Sequence, residues 1–384
     1  MPLTKTQHLD PTLSPKRILA LDGGGIRGVL TLEYLEVIEA LLKSRNGPGF
    51  LLCDYFDLIG GTSTGSIIAA GLAYGKSVKD IKELYYGLGA NVFVPTGLGL
   101  VAPKFQTQDL QKALDGALGA DTTLDSDKIR TGLMIMTKRL DTSSAWPLNN
   151  CGRGKYATQD GALRLTQVVR ASTAAPTYFD PERVQISSRD GSVVKGEFVD
   201  GGVSPFNDPA LQLLMLAALQ GHGFRWPVGK DKLLIISAGT GTYRPSPPTP
   251  KLFGRLVTAV LGRMAAAQGL RALSSLMDDC ARSNQAMLQW LTDCLTPWQL
   301  DRAVGDMKLD SKQGPQLATY ARYNVQLEQK WLSDTLKVEL SPDKLAQVRK
   351  MDKPGNMESL AEIGRAAARE QVKAEHFPPA FDLR

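Results

Sequence analysis

Three short segments of this 384-residue chain carry residue types that could do chemistry together. Gly61-Thr62-Ser63-Thr64-Gly65 is a GxSxG pattern between two apolar runs, 54–60 and 66–73. A serine used as a nucleophile must stand at the tip of a tight strand-to-helix turn, and glycines at Gly61 and Gly65 remove the side chains that would crowd it. Asp22-Gly23-Gly24-Gly25-Ile26-Arg27-Gly28 also falls where a strand should give way to a helix. Backbone N–H groups in such a loop, at a helix N-terminus, suit an anion or a developing oxyanion. Asp200-Gly201-Gly202 follows Glu197-Phe198-Val199 and places a carboxylate at a strand end. A nucleophile, an anion-holding loop and a carboxylate are the parts of an acyl-transfer site.

The base is the open question. Serine hydrolases commonly use histidine, and the chain has three: His8 in the N-terminal stretch, His222 in a Gly-His-Gly, and His376 near the C-terminus. None sits in a motif. A buried carboxylate hydrogen-bonded to the hydroxyl can act instead, because desolvation raises its basicity. The glycine loop also satisfies GxGxxG (Gly23, Gly25, Gly28), which allows a nucleotide-binding module. That use wants an acidic residue closing the next strand, where Gly60-Gly61 stands instead. The P-loop look-alike from Gly71 to Ser77 is one residue short and is set aside.

These parts must be held by a scaffold. Residues 17–21 (RILAL) read as a short buried strand, followed by the glycine loop and an amphipathic helix with apolar positions at Leu30, Leu32, Leu35, Val37, Ile38, Leu41 and Leu42. Residues 54–60, 132–137 and 232–237 read as further strands, and Phe198-Val199 closes another. Residues 168–175 read as a helix ended by Pro176. Repeated strand–glycine turn–helix units point to an α/β fold with a mostly parallel sheet. Residues 1–15 read as a flexible leader, 16–245 as the catalytic domain, and 246–250 as a proline-rich linker. Residues 251–384 read as a helical region packed on the core or forming a lid, with helices over 251–277, 283–295, 317–332 and 357–373.

With the DGGGxRG loop, the GxSxG elbow and the DGG motif all present, the chain resembles the patatin-like phospholipases. Residues 171–179 (ASTAAPTYF) and 236–241 (ISAGTG) are similar to the family as well, whereas 204–209 is longer than the family's stretch after the DGG. The likeness covers about residues 16–245. It implies a three-layer α/β sandwich and a Ser63–Asp200 dyad without histidine. It implies that Ser63 attacks a lipid ester carbonyl, Asp200 takes the proton, and the amides of Gly23, Gly24 and Gly25, with Arg27 fixing the loop, hold the oxyanion. No metal or organic cofactor is implied. The same dyad would serve an acyltransferase or a non-lipid esterase. The family also includes bacterial anti-phage effectors switched on by cyclic nucleotides, so the resemblance implies a cyclic nucleotide as an activator to be tested.

Composition sets the bounds. With 43% apolar and 22% charged residues the chain is globular rather than disordered. No run of 18 uncharged apolar residues provides a spanning helix, and the polar N-terminal stretch lacks the apolar core of a signal peptide. Four scattered cysteines make no disulfide framework, which fits a cytoplasmic protein, and the resemblance implies one that is peripheral at the inner membrane when active. Three histidines are too few for a His-rich metal site. The net charge of +6 favours anionic partners. A phospholipid membrane surface is the expected one, no Lys/Arg block calls for a nucleic acid polymer, and an oligomer is left open. Residues 252–277, apolar with spaced arginines, suit either a membrane surface or the protein core.

Overall fold

The structure, a computed structural model, describes residues 2–91, 107–176, 178–187, 193–244 and 259–383. Among these, nine strands form one sheet: β1 (Lys16–Leu21), β2 (Leu58–Thr62), β3 (Gly132–Arg139), β4 (Ser144–Asn149), β5 (Glu182–Ser187), β6 (Val193–Asp200), β7 (Leu233–Ala238), β8 (Asp293–Cys294) and β9 (Thr319–Tyr323). The order is β5-β6-β3-β2-β1-β7-β9-β8, with β4 also paired to β3. The run from β3 to β8 is parallel, and β4, β5 and β6 pair antiparallel. The fold is therefore mixed α/β around a mostly parallel sheet.

The central strands read as unbroken apolar runs because both faces of the sheet are covered. Leu19, Leu21, Ile59 and Ile236 point to one side, under helices Gly28–Asn46, Thr64–Ala73, Leu165–Ser172 and Met357–Gln371. Their sequence neighbours Ile18, Ala20, Leu58 and Ile235 point to the other, under helix Ala210–Ala218 and Leu288 of helix Ala259–Leu291. The period-two alternation of a strand splits the core into two apolar layers with the sheet between them.

Several expectations need correction. The N-terminal stretch is tied down: Lys5–Leu9 is a helix capped by Thr4, and His8 is fully buried. Asp57 is the cause. Burial works to raise its carboxyl, and the His8 hydrogen bond (2.8 Å) and the Arg17 charge outweigh it and hold it below the usual range. The second strand also starts later than expected. Leu52–Tyr55 is a helical turn, and β2 begins only at Leu58. The helix expected over 168–175 lies at Leu165–Ser172. Residues 317–332 are not one helix: Thr319–Tyr323, rich in residues that suit a pleated surface, pairs parallel with β7. The expected division into a catalytic domain ending at 245 and a helical remainder therefore fails, since β8 and β9 extend the same sheet. The helices expected over 251–277 and 283–295 are one helix, Ala259–Leu291. The proline-rich stretch 246–250 and residues 251–258 lie outside the described residues.

Candidate active site

Sheet order brings the serine and the aspartate together. Ser63 follows the last residue of β2, Thr62, which pairs with Met136 of β3. The next residue of β3, Thr137, pairs with Asp200 at the end of β6. Ser63 and Asp200 therefore meet beside β3, within the sheet, and Ser63 Oγ donates to Asp200 Oδ2 at 2.5 Å.

The elbow around Ser63 is tight. Ser63 holds φ 52° and ψ −127°, a conformation that non-glycine residues rarely adopt. Its amide donates to Ser172 Oγ (2.9 Å), and Ser172 Oγ donates to Met136 O (2.6 Å). A side chain at Gly61 would put its Cβ 2.2 Å from Gly65 O, and one at Gly65 would fall 2.4 Å from Leu21 O. Both flanking glycines are thus required by close backbone approach.

Asp200 is buried. Desolvation pushes its carboxyl up to about 6, although the bonds from Ser63 Oγ and Gly202 N–H (2.7 Å to Oδ1) and the Arg170 charge pull it down. A carboxylate with that basicity is ionised at neutral pH and still able to accept a proton. The histidines do not compete for this role. His8 faces Asp57, His376 Nδ1 and Tyr323 Oη are 2.9 Å apart, His222 sits in a surface turn, and none of the three lines the cavity that holds Ser63.

The glycine loop packs directly on the serine: a Cβ at Gly23 would lie 2.9 Å from Ser63 Cβ. Gly25 has φ +57° and opens the short turn Gly25–Arg27. Gly23 departs from its expected part. Its N–H donates to Asn207 O (3.2 Å), and its carbonyl accepts from Thr240 Oγ1 (2.8 Å), so Gly23 anchors the loop instead of offering an amide. Gly24 N–H makes only a long bond to Thr64 Oγ1, 3.3 Å. Gly23, Gly24, Gly25 and Arg27 all line the cavity. Arg27 is buried, its guanidinium shifted down by desolvation, and its Nε has no hydrogen-bond partner among the described residues.

Sequence reasoning missed the anchor of the loop. Arg322, on β9, forks onto Asp22 (Nη1–Oδ1 3.1 Å, Nη2–Oδ2 2.6 Å) and lies 2.8 Å from Asp208 Oδ2. All three are buried. One guanidinium serves two carboxylates, and burial pushes the Asp22 carboxyl up to about 7 against the Arg322 charge. Asp22 opens the glycine loop, and Asp208 follows Asn207, which holds Gly23.

The cavity has a volume of about 310 Å³. Ile67, Tyr85, Leu88, Leu110 and Phe179 give it an apolar flank, and Met277, Ala281 and Met351 close another side. The elements after residue 258 therefore help to wall the site. Met351 O also accepts from Ile26 N–H (2.9 Å) beside the glycine loop.

A family model described as patatin-like phospholipase matches residues 19–214, just over half of the chain, and the chain belongs to that family. The chain is 34% identical over 233 residues to a "cGAMP-activated phospholipase" of Escherichia coli (strain TW11681), covering 58% of this chain and 62% of the relative. It is 33% identical over 178 residues to a protein of the same name from Vibrio cholerae, covering 43% and 49%. It is 28% identical over 246 residues to Patatin-17 of Solanum cardiophyllum, covering 59% and 60%. The matches thus span about half to three-fifths of these relatives. Among solved structures, human GIVD cytosolic phospholipase A2 aligns over 98% of this chain and 62% of that one, at a TM-score of 0.43 and 11% identity.

Proposed function

We propose that this protein is a serine acyl hydrolase of phospholipids working through a Ser63–Asp200 dyad. The observation that carries the reading is the 2.5 Å bond between a hydroxyl in an exposed-elbow conformation and a buried carboxylate raised to about 6. Asp200 accepts the Ser63 proton as Oγ attacks the ester carbonyl. The oxyanion then faces the Gly24 and Gly25 amides at the head of helix Gly28–Asn46. Collapse expels the lyso-lipid alcohol, which takes the proton back from Asp200. Water then attacks the acyl-enzyme with Asp200 as base and frees the fatty acid. The apolar flank of the cavity suits an acyl chain. Family membership supports lipid hydrolysis over transfer to another acceptor. The relatives named as cGAMP-activated support control by a cyclic nucleotide.

The test is fatty-acid release from mixed phospholipid vesicles, with and without cyclic dinucleotides, together with labelling by a fluorophosphonate. Ser63→Ala should abolish both readouts. Asp200→Asn should lower release by at least about 10³-fold, in the range seen when a catalytic base is lost. Near-normal release by Asp200→Asn would refute the dyad. Full release without nucleotide, unchanged by any, would refute the control.

A further inference from the structure

The glycine loop is tightly enclosed. A Cβ at Gly24 would lie 2.2 Å from Thr240 Oγ1, one at Gly25 2.2 Å from Met351 O, and one at Gly28 2.2 Å from the Tyr85 hydroxyl. Each glycine therefore makes room for a different neighbour, drawn from three separate parts of the chain. Two of those neighbours hold one peptide between them. Tyr85, on helix Val78–Asn91, donates its hydroxyl to Gly25 O. Ile26 N–H, at the other end of the same peptide, donates to Met351 O at 2.9 Å. The Gly25–Ile26 peptide is thus pinned at both ends.

The peptide before it is held at one end only. Gly24 O accepts from Arg27 N–H (3.2 Å), while Gly25 N–H donates to no group among the described residues. A pinned peptide on one side of Gly25 and a free N–H on the other is what an oxyanion donor needs, because the donor must be aimed before the charge develops. Tyr85 is suited to the pinning. It is buried and lines the cavity of Ser63. Burial raises its hydroxyl above the ordinary value, so it keeps its proton and donates. The Thr64 hydroxyl, which Gly24 N–H meets at 3.3 Å, lies beside it. One phenol therefore borders both the glycine loop and the serine elbow.

We propose that Tyr85 is a positioning residue for ester hydrolysis: its bond to Gly25 O, opposed by Met351 O at the far end of the same peptide, aims the Gly25 N–H at the forming oxyanion. The inference rests on the reading of the protein as a serine acyl hydrolase and names a side chain that sets its oxyanion loop. It also gives the last glycine of the loop a purpose, since any side chain at Gly28 would push the Tyr85 hydroxyl away. A tyrosine that only filled space would do so equally well without its hydroxyl, and the two roles separate by experiment.

The test is Tyr85→Phe in the full chain, assayed on a dissolved short-chain ester. Its kcat should fall about tenfold or more with KM within about twofold of the parent. A trifluoromethyl ketone analogue, whose adduct with Ser63 carries the oxyanion, should lose affinity by a factor similar to the loss in kcat/KM. Gly28→Ala should reproduce the loss, and Gly28→Ala with Tyr85→Phe should be little worse than either change alone, because both break one bond. Parent-like kcat and ketone affinity in Tyr85→Phe overturn the proposal, as do losses that multiply in the double variant. A rise in KM with kcat kept overturns it too, and gives Tyr85 to the substrate wall. Deuterium uptake by the peptide covering residues 22–28 is scored separately. It should quicken in Tyr85→Phe while uptake in β1 and β7 stays the same, and unchanged uptake at 22–28 counts against the pinned peptide. If the parent neither hydrolyses the ester nor reacts with a fluorophosphonate, the catalytic reading fails, and the uptake result still decides whether Tyr85 holds the loop.

Discussion

Ser63 and Asp200 each sit in a state that folding alone would avoid. Ser63 holds a left-handed φ of 52°, a strain of about 1–3 kcal/mol. Asp200 is ionised at neutral pH in a buried place that favours its protonated form, with its carboxyl at about 6 against an ordinary 3.8. Because the folded value is raised, the folded state binds more protons between pH 3.8 and 6, and stability falls as pH rises through that window. The shift corresponds to a penalty of up to about 3 kcal/mol above pH 6. Asp200→Asn should therefore be more stable than the parent at pH 8, by about 1–3 kcal/mol in urea unfolding, and the gap should close near pH 4. A gap that stays constant across that range would show that Asp200 is not held ionised against burial. On the proposed dyad, the parent's activity should also rise through about pH 6, where Asp200 becomes ionised and able to accept the serine proton. This residue pair was legible in the sequence because glycines mark it locally. Gly61 and Gly65 flank the serine, and Gly201-Gly202 follow the aspartate.

At the scale of elements, the glycine loop is held from a distance. Asp22, on which the loop starts, is gripped by Arg322 from β9, 300 positions along the chain. No local pattern announces such a partner, and the sequence of Thr319–Tyr323 reads as helix because its apolar spacing is too short to separate the two periods. The N-terminal stretch misleads for a similar reason: its polar composition suggests a leader, while its structure depends on the distant Asp57. Arg322→Gln would leave two buried carboxylates without a cation and should cost about 3–5 kcal/mol. Arg322→Lys should recover only part, because an ammonium cannot fork onto both Asp22 oxygens. On the proposed mechanism, Arg322→Lys should lower kcat for ester hydrolysis by about tenfold or more with little change in KM, since displacing the glycine loop would weaken the transition state rather than binding. A rise in KM with kcat kept would assign Arg322 to the substrate wall instead.

For the whole molecule, the motifs lie before residue 245, yet the chain does not divide there. β9 pairs with β7 along Leu234 to Ala238, and Tyr320 joins the apolar layer with Ile235 and Leu233. Helix Met357–Gln371 packs on helix Gly28–Asn46, where a Cβ at Gly364 would meet Glu33 at 2.8 Å. A chain ending at 245 would bare the edge of a buried parallel strand, expose one side of the helix that follows the glycine loop, and leave Asp22 and Asp208 without Arg322. Such a fragment, although it holds Ser63, Asp200 and every glycine of the loop, should fail to give a cooperative thermal transition and should not react with a fluorophosphonate. Adding residues 259–384 as a separate chain should restore labelling only where the two pieces associate. A fragment that labels normally by itself would show that the sheet beyond β7 is an accessory, and that the site needs only the strands that carry its motifs.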